Sequence, residues 1–290
     1  MTKKVRVGSR DSALAIRQAK IVMDAIRACC PDIEPELMTF KTAGDKILDT
    51  SLDMVGGKGL FIKELEYALL SGSIDIAVHS YKDIPYEETD GLPIVALSKR
   101  ESPFDALILP KGAESLDRSK PIGSSSLRRA IQLKRLYQDV EVSSVRGNIS
   151  TRLSKLDNGG YSALVLAEAG LNRLSLQNRI SHVFTLEEMI PSGSQGILAV
   201  QAREGEDHTY LNGFHDRESE IISKAERQFL KTLGAGCSAP VAAYAKLLGN
   251  EILLTGMYVD PEGNVKTDSI SGEAGQAQSL GEALALALLT

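Results

Sequence analysis

Short apolar runs alternate along the chain with longer runs of helical period. Val5–Val7 is followed by Ala13–Ala28, in which apolar side chains recur every three or four positions. The same alternation returns as pairs of a helical run and an apolar run: Leu60–Leu70 with Ile74–Val78, Leu127–Tyr137 with Val140–Val145, and Ile149–Leu156 with Ala163–Leu166. Strands that alternate with helices predict βαβ units and therefore an α/β fold with mainly parallel, doubly wound sheets.

Two segments of this α/β region resemble each other. Gly8-Ser9 and Gly123-Ser124 are each followed by an Ala-Ile pair seven and eight residues after the glycine. Each segment later reaches a glycine turn and a strand, at Gly72–Val78 and Gly159–Leu166. Chance similarity of two strand-turn-helix units is the alternative, but the order of elements favours two related α/β domains of about 100 residues each.

The pattern changes beyond about His215. A helical run, Glu218–Leu233, leads through a glycine-rich loop to three strand-like runs and a closing helix: Ala242–Leu247, Ile252–Val259, Val265–Ser271 and Ser279–Leu289. Strands joined by turns such as Gly249-Asn250 predict an antiparallel sheet and a smaller α+β domain. We therefore expect three domains, formed by residues 1–98 with 193–214, by residues 99–192 and by residues 215–290.

The charge is unevenly distributed along the chain. Of 290 residues, 43% are hydrophobic and 24% are charged, as in ordinary soluble proteins, and the net charge of −5 argues against binding to nucleic acid or an anionic membrane. Between Pro121 and Ile180, however, nine basic residues stand against four acidic ones. A basic segment inside an acidic protein predicts a small, local anion site.

Cysteine and histidine usage indicates a reducing compartment and no metal. Cys29, Cys30 and Cys237 are too few and too poorly spaced for a disulfide framework, and the four histidines add no ligand spacing. The N-terminal MTKKVRVGSRDS lacks the apolar stretch of a signal peptide, and no uncharged run has the length of a membrane-spanning helix. We expect a cytoplasmic protein.

Basic residues recur at glycine- or serine-rich turns between a strand and a helix. The four turns are Gly8–Ser12, Gly56–Gly59, Gly123–Ser126 and Arg146–Asn148. Helix N-termini carry free N–H groups and partial positive charge, so these turns predict an anion site. Neither a P-loop nor a G-x-G-x-x-G motif is present, and the arginines at or near the turns exceed what one phosphate needs. A ligand with several carboxylates fits better.

Two further segments carry candidate chemistry. The run Asp75–Pro85 delivers Ser80, Lys82 and Asp83 to a loop at the end of a buried strand, where an ionised Asp83 is suited to stabilising a cation, while the neighbouring His79 is expected to be structural. Cys237 lies in GAGCSAP between a helix and a strand. Its small neighbours suit covalent attachment, and a small buried hydrophobe is the alternative.

In order and spacing, six segments of the chain resemble the porphobilinogen deaminase family, also called hydroxymethylbilane synthase: GSRDSALAIRQA, VGGKGLFIKELE, DIAVHSYKDIP, GSSSLRRAIQL, VRGNISTRLSKLD and GAGCSAP. The resemblance implies three domains, of which the first two are built like the lobes of periplasmic binding proteins. It implies an enzyme of porphyrin and heme biosynthesis that joins four porphobilinogen molecules head to tail with loss of ammonia and releases hydroxymethylbilane by hydrolysis. The chain would grow on a covalently held dipyrromethane cofactor. Nothing in the sequence demands more than a monomer.

The resemblance also implies roles for individual residues. Asp83 corresponds to the catalytic carboxylate, which binds pyrrole N–H groups and stabilises the positive charge that develops as ammonia leaves, and Cys237 to the cysteine that holds the cofactor by a thioether. The other implied cofactor-binding residues are Lys82, Ser126, Arg128, Arg129 and Arg146. The implied substrate-binding residues are Arg10, Ser12, Lys58, Ser80, Arg152, Arg173 and Gln195.

Three positions depart from the family pattern, namely Met54, Glu168 and Ser238, and none of them replaces the carboxylate or the cysteine. A non-enzymatic, bilobed receptor or sensor for a small dicarboxylate is the main alternative function, because it would share the two-lobed architecture. It would need neither Cys237 nor the third domain. A phosphate-ester transferase is a weaker alternative, because both nucleotide motifs are missing.

Overall fold

The computed structural model describes residues 3–41, 62–234 and 239–290. Its helices and strands, in chain order, are β1 Lys3–Arg10, α1 Ala13–Cys29, β2 Ile33–Phe40, α2 Lys63–Leu70, β3 Ile76–Ser80, β4 Ile94–Leu97, β5 Asp105–Ile108, β6 Ile122–Gly123, α3 Leu127–Leu136, β7 Val142–Ser143, α4 Ile149–Asp157, β8 Ala163–Ala167, α5 Glu168–Arg173, β9 His182–Val183, β10 Leu198–Ala202, α6 Arg217–Thr232, β11 Ala242–Leu248, β12 Glu251–Val259, β13 Val265–Glu273 and α7 Ala277–Leu289.

The chain divides into two compact units. The first unit runs to Arg100 and includes Ile197–Glu220, while the second comprises Glu101–Gly196 and Ile221–Thr290. The second unit holds both an α/β sheet and the antiparallel sheet of the C-terminal region. The finer division into three domains stays a prediction.

The sheet of the first unit has the strand order β2-β1-β3-β10-β4. All its strands are parallel except β10, which runs antiparallel to both of its neighbours. Helix α1 packs on the face that carries Val7 and Val78, and α2 packs on the face that carries Ala77. The sheet is therefore covered by helices on both faces, as expected for a doubly wound sheet.

The α/β sheet of the second unit has the order β7-β6-β8-β5-β9, and only β5 is antiparallel to its neighbours. Helix α3 contributes Leu133 to one apolar cluster on this sheet, and α4 contributes Leu156 to another. The two sheets share one plan, in which the fourth strand is the reversed one. This shared plan supports the relation between the two domains that the sequence predicts.

Gly8 and Gly123 occupy the same place in the two sheets, opposite the second residue of β3 and of β8 respectively. A Cβ atom at Gly8 would lie 2.3 Å from Ile74 Cδ1, and one at Gly123 would lie 2.5 Å from Leu164 Cδ2, so a larger residue at either position would displace a packed side chain. The helices that follow are offset by one residue, because their N-caps lie four residues after Gly8 and three after Gly123.

The C-terminal region forms the three-stranded antiparallel sheet β11-β12-β13. Helices α6 and α7 pack closely, since a side chain at Gly281 of α7 would lie 2.3 Å from the carbonyl oxygen of Ala225 in α6. Phe229 of α6 reaches the sheet, where its ring covers Gly256. The predicted fold class, two doubly wound α/β sheets and a smaller α+β region with an antiparallel sheet, is confirmed.

Candidate active site

Asp83 lies immediately beyond the carboxyl end of a buried strand. Strand β3 is buried over Ile76–His79 and passes directly into a 3₁₀ turn, Tyr81–Asp83. Within this turn the Tyr81 side chain is buried, which directs the turn, while Lys82 is half-buried and Asp83 is exposed. The sequence therefore places an exposed carboxylate at the edge of the sheet where α/β proteins bind ligands.

Ser80, the last residue of β3, is held by helix α1. Gln18 Nε2 donates a hydrogen bond of 2.9 Å to Ser80 Oγ, and the Gln18 side chain is buried. Sequence reasoning missed Gln18. The sequence does contain a sign of its role, because Gln18 is a polar residue on the buried side of α1, next to Ala19 and Val22.

His79 is buried beneath this edge. Desolvation, with a smaller contribution from the positive charge of Arg10, lowers the pKa of His79 to about 4, so the ring is neutral at neutral pH. Arg10 itself is the last residue of β1, the parallel neighbour of β3, and is half-buried. Ser12 caps α1, because its Oγ accepts a hydrogen bond of 3.2 Å from Ala15 N.

The second unit gathers its predicted arginines beyond the carboxyl ends of three adjacent strands. Ser126, Arg128 and Arg129 follow β6, Arg146 and Arg152 follow β7, and Arg173 lies on α5 after β8. Carboxyl ends of neighbouring parallel strands meet at one edge of a sheet. The sequence prediction of repeated basic turns thus becomes a single arginine-rich edge within this unit.

Arg128 and Arg129 are buried around a carboxylate that sequence reasoning missed. Arg128 Nη2 donates to Asp105 Oδ2 at 2.7 Å, and Arg129 Nη2 and Nε donate to Asp105 Oδ1 at 2.6 and 3.0 Å. Asp105 is 0% exposed. Burial lowers the pKa of Arg128, and the neighbouring charge of Arg129 acts in the same direction, whereas Asp105 opposes both.

Backbone carbonyls complete the contacts of this pair. Arg128 Nη1 donates to the carbonyl of Ile190 at 2.7 Å, and Arg129 Nη1 to that of Val165 at 3.1 Å. Ser126 is the N-cap of α3 and accepts a long hydrogen bond of 3.5 Å from Arg129 N. Both guanidinium groups are therefore held in defined planes.

The remaining predicted arginines are half-buried. Arg152 Nε donates to the carbonyl of Gly147 at 2.7 Å, and Arg173 Nη2 donates to that of Gly196 at 2.5 Å. Desolvation lowers the pKa of Arg173 to about 10, against the opposing effect of Glu101. Arg146 lies in the loop between β7 and α4, and its carbonyl accepts from Lys155 Nζ at 3.2 Å.

Gln195 joins the Asp105 cluster from the segment that precedes β10. Its Nε2 donates to Asp105 Oδ1 at 3.0 Å and to the carbonyl of Pro103 at 2.7 Å. The preceding residue, Ser194, donates its backbone N–H to the buried Glu226 of α6 at 2.6 Å, and Glu226 also accepts from Ala245 N at 2.6 Å. Gln195 therefore lies beside the arginine pair, and its segment is fixed by the hydrogen bond between Ser194 and Glu226.

Some of the predicted residues lie outside the described part of the chain, namely Lys58, Cys237, Met54 and Ser238. The third departure from the family pattern, Glu168, is described and accepts a hydrogen bond from the hydroxyl of Ser102. Within residues 3–41, 62–234 and 239–290, no helix has the length and hydropathy to span a bilayer. The same ranges hold no cluster of three or more histidine, cysteine or acidic side chains that could bind a metal.

Comparisons with known proteins agree over the whole chain. Residues 5–211 match the family model described as porphobilinogen deaminase, dipyromethane cofactor binding domain, and residues 221–290 match the model of the C-terminal domain of porphobilinogen deaminase. A porphobilinogen deaminase of Acetivibrio thermocellus is 54% identical over 99% of this chain and 98% of its own length. One of Ruminiclostridium cellulolyticum is 54% identical over 96% and 95%.

Among solved structures, that of the methionine binding protein MetQ is similar, with a TM-score of 0.45 and 16% identity over 75% of this chain and 92% of that chain. The family itself rests on the sequence matches, because the two models together cover most of the chain and the relatives exceed half identity. This chain belongs to the porphobilinogen deaminase family.

Proposed function

We propose that Asp83 is the catalytic carboxylate, and Cys237 the point of cofactor attachment, in the reaction that joins porphobilinogen molecules with loss of ammonia. The observation that carries this proposal is the place of Asp83. It is the exposed residue of a turn whose other end is anchored by the buried Tyr81, directly after the buried strand β3. A rigid strand with an exposed carboxylate just beyond its end is suited to precise contact with a ligand.

Asp83 acts on charge in this proposal. A carboxylate is negative at neutral pH, and it would accept hydrogen bonds from pyrrole N–H groups. As the amine leaves, positive charge develops on the pyrrole ring, and a fixed negative charge nearby stabilises that transition state more than the ground state.

The arginine-rich edge fits the dipyrromethane cofactor, because this group carries several carboxylates on its pyrrole rings. Arg128 and Arg129 share one buried carboxylate, Asp105, so the three side chains have a net charge of +1. A carboxylate of the cofactor would balance that positive charge. A second one would balance the charge of Arg146. When bound, the dipyrromethane supplies the pyrrole terminus on which the chain grows; Ser126, Arg128, Arg129 and Arg146 would hold its carboxylates, with Lys82 and Asp83.

The remaining predicted residues would bind the incoming porphobilinogen through its acetate and propionate groups. They are Arg10, Ser12, Lys58, Ser80, Arg152, Arg173 and Gln195. Arginine suits this task because its planar N–H donors match a carboxylate in two places at once. We expect the enzyme to act as a monomer in the cytoplasm. Its three cysteines are in keeping with a reducing compartment.

Intact mass spectrometry after incubation with porphobilinogen tests the attachment site. We expect wild type and Cys29→Ala to carry a mass increment of two pyrrole units, and Cys237→Ala to carry none. Cys29 is the matched control, because its thiol is free and exposed. An increment retained in Cys237→Ala would contradict the proposal, and an unmodified wild type that binds porphobilinogen without turnover would favour the receptor alternative.

A further inference from the structure

The Asp105 carboxylate connects three side chains that the sequence analysis assigned to binding. Its Oδ1 accepts from Arg129 Nε and Nη2 and from Gln195 Nε2, at 3.0, 2.6 and 3.0 Å, while its Oδ2 accepts from Arg128 Nη2 at 2.7 Å. Asp105 itself is not among the residues proposed to bind cofactor or substrate. Its contacts nevertheless determine where both guanidinium groups lie.

The reversed direction of β5 explains how a strand residue reaches this position. Asp105 is the first residue of β5 and lies opposite Ala167, the last residue of β8. Because β5 is antiparallel, its beginning lies at the carboxyl edge of the parallel strands, next to the helix N-terminus that carries Arg128 and Arg129. In the first unit the equivalent residue is Leu198, which begins β10 opposite Ser80.

The fold does not require a carboxylate at this position, since the first unit builds the same sheet with leucine. Stability does not account for it either. A buried ion cluster is often no more stable than well-packed apolar side chains, because the desolvation of each charge offsets the attraction. What the cluster does provide is a fixed plane for two guanidinium groups and one surplus positive charge.

We propose that Asp105 is a positioning residue for cofactor binding, which holds Arg128 and Arg129 in the orientation that receives the cofactor's carboxylates. Gln195, in the segment before β10, in turn holds Asp105. The inference rests on the proposed role of the two arginines. Asp105 acts through them and does not touch the cofactor. Without the Asp105 carboxylate, each guanidinium group keeps one backbone carbonyl contact, which fixes its plane less firmly and slows binding of a planar anion.

The experiment measures the rate of cofactor loading. Protein is purified from a host that makes no porphobilinogen, incubated with porphobilinogen, and followed by intact mass. The variants are Asp105→Asn, Arg128→Leu and, as the matched control, Asp75→Asn. Asp75 also binds arginine, since it accepts from Arg6 at 2.6 Å, but it precedes β3 at the amino edge of the other sheet. Far-UV circular dichroism reports the folded fraction of each variant.

We expect Asp105→Asn to load about 10–100-fold more slowly than wild type, the range for a residue that orients a binding group, and Asp75→Asn to load at the wild-type rate. A folded Asp105→Asn that loads as fast as wild type, while Arg128→Leu does not load, overturns the inference and leaves the proposed function intact. Normal loading of Arg128→Leu overturns the assigned role of that arginine, and the inference with it.

A second variant decides the matter if Asp105→Asn does not fold. Asp105→Glu keeps the negative charge near both arginines but moves it by one methylene, so we expect it to fold and to load more slowly than wild type. A wild-type loading rate in Asp105→Glu overturns the inference in that case. A reduced loading rate supports the inference, because a negative charge near the two arginines is then not enough unless it lies at the position of the Asp105 carboxylate.

Discussion

The α/β sheets of the two units share one plan, with a reversed strand in fourth place, yet they carry different side chains at their carboxyl edges. The first unit places an exposed carboxylate, Asp83, directly after β3. The second unit collects buried and half-buried arginines after β6, β7 and β8, held in part by Asp105. The comparison teaches that the sheet supplies positions, while a few residues at one edge decide which charge is presented.

The two units also share a buried glutamine at the same position of a helix, but the two glutamines bind different partners. Gln18 and Gln132 each lie six residues after the serine N-cap of α1 and α3, and each is buried. Gln18 donates to Ser80, whereas Gln132 accepts from Ile190 N at 2.8 Å and donates to its carbonyl at 3.1 Å. The same helix position thus fixes a strand end in one unit and a chain connection in the other.

The largest effect is expected from Leu198→Asp, which copies the second unit's carboxylate into the first. Leu198 is 1% exposed and packs in the apolar cluster of α1. The charge of Asp105 is balanced by Arg128 and Arg129, whereas Leu198 packs among apolar side chains, so we expect the free energy of unfolding to fall by about 3–5 kcal/mol, the cost of an uncompensated buried charge. Urea denaturation measures it.

Leu198→Met is the control for Leu198→Asp and should cost less than about 1.5 kcal/mol, because it conserves volume and polarity. Burial raises the pKa of an aspartate, so the loss in Leu198→Asp should shrink as pH falls and the carboxyl group becomes protonated. Equal stability of Leu198→Asp and wild type at neutral pH would break the comparison.

Asp83→Asn removes the proposed catalytic charge from the carboxyl edge of the first sheet. We expect turnover to decrease by about 10²–10³-fold, the usual cost of losing one transition-state contact. Because Asp83 is exposed, the free energy of unfolding should change by less than about 0.5 kcal/mol. Initial rates of porphobilinogen consumption measure the first effect, and thermal unfolding measures the second.

The exposed Asp90 provides the control for Asp83, since Asp90→Asn should leave turnover unchanged. A loss of turnover in Asp83→Asn that follows a loss of folded protein would assign Asp83 to the fold. A turnover close to wild type would remove it from the catalytic role.

Asp75→Asn tests the carboxylate at the opposite edge of the first sheet. Burial alone would raise the pKa of Asp75, but hydrogen bonds from Arg6 outweigh burial and lower it. We expect the variant to lose about 1.5–3 kcal/mol at neutral pH, as for hydrogen bonds to a charged group. The stability contributed by a lowered pKa is present above the unfolded value of about 3.9 and is lost as pH falls through the folded value.

The difference between wild type and Asp75→Asn should accordingly disappear in acid, which urea denaturation at a series of pH values would reveal. A difference that stays constant down to the acid limit would show that the Arg6 contact acts through packing and not through charge.

The smallest effects are expected at the two serine caps. Ser12→Ala and Ser126→Ala should each lower the free energy of unfolding by about 1 kcal/mol, because each removes the side-chain acceptor of a helix N-terminus. Aspartate is an equally good cap, so Ser126→Asp should keep stability while its negative charge slows cofactor loading. Unchanged loading in Ser126→Asp would leave Ser126 with a capping role alone.

The sequence predicted those elements whose periodicity is local. The helices α1, α3 and α4 and the strands β1, β3 and β8 agree with the apolar pattern to within a few residues. Besides the two-residue strands β6 and β9 and the short helix α5, the apolar pattern did not reveal β2, β4, β5 and β10. Strand β2 contains Pro35 and lies at an edge of its sheet, and both features weaken a strand pattern. The others are runs of four or five residues, too short for a period to decide.

The candidate site was predictable where one segment carries the chemistry, as in the turn that ends at Asp83. Asp105 was not, because an acidic residue before a short apolar run resembles an ordinary turn residue. Its function depends on Arg128, which lies 23 positions away, and on Gln195, 90 positions away. No local pattern in the sequence predicts the reversed direction of β5.

The position of β10 has a consequence for how the chain folds while it is being translated. This strand is buried over its whole length and separates β3 from β4, yet it is translated only after the entire Glu101–Gly196 segment. A nascent chain that has just emerged through β4 therefore exposes two strand edges with no partner between them. The sheet β7-β6-β8-β5-β9 is contiguous in sequence and can close first. During translation, the α/β sheet of the second unit should thus be completed before that of the first, although the first strand of the first unit, β1, is synthesised before that of the second, β5.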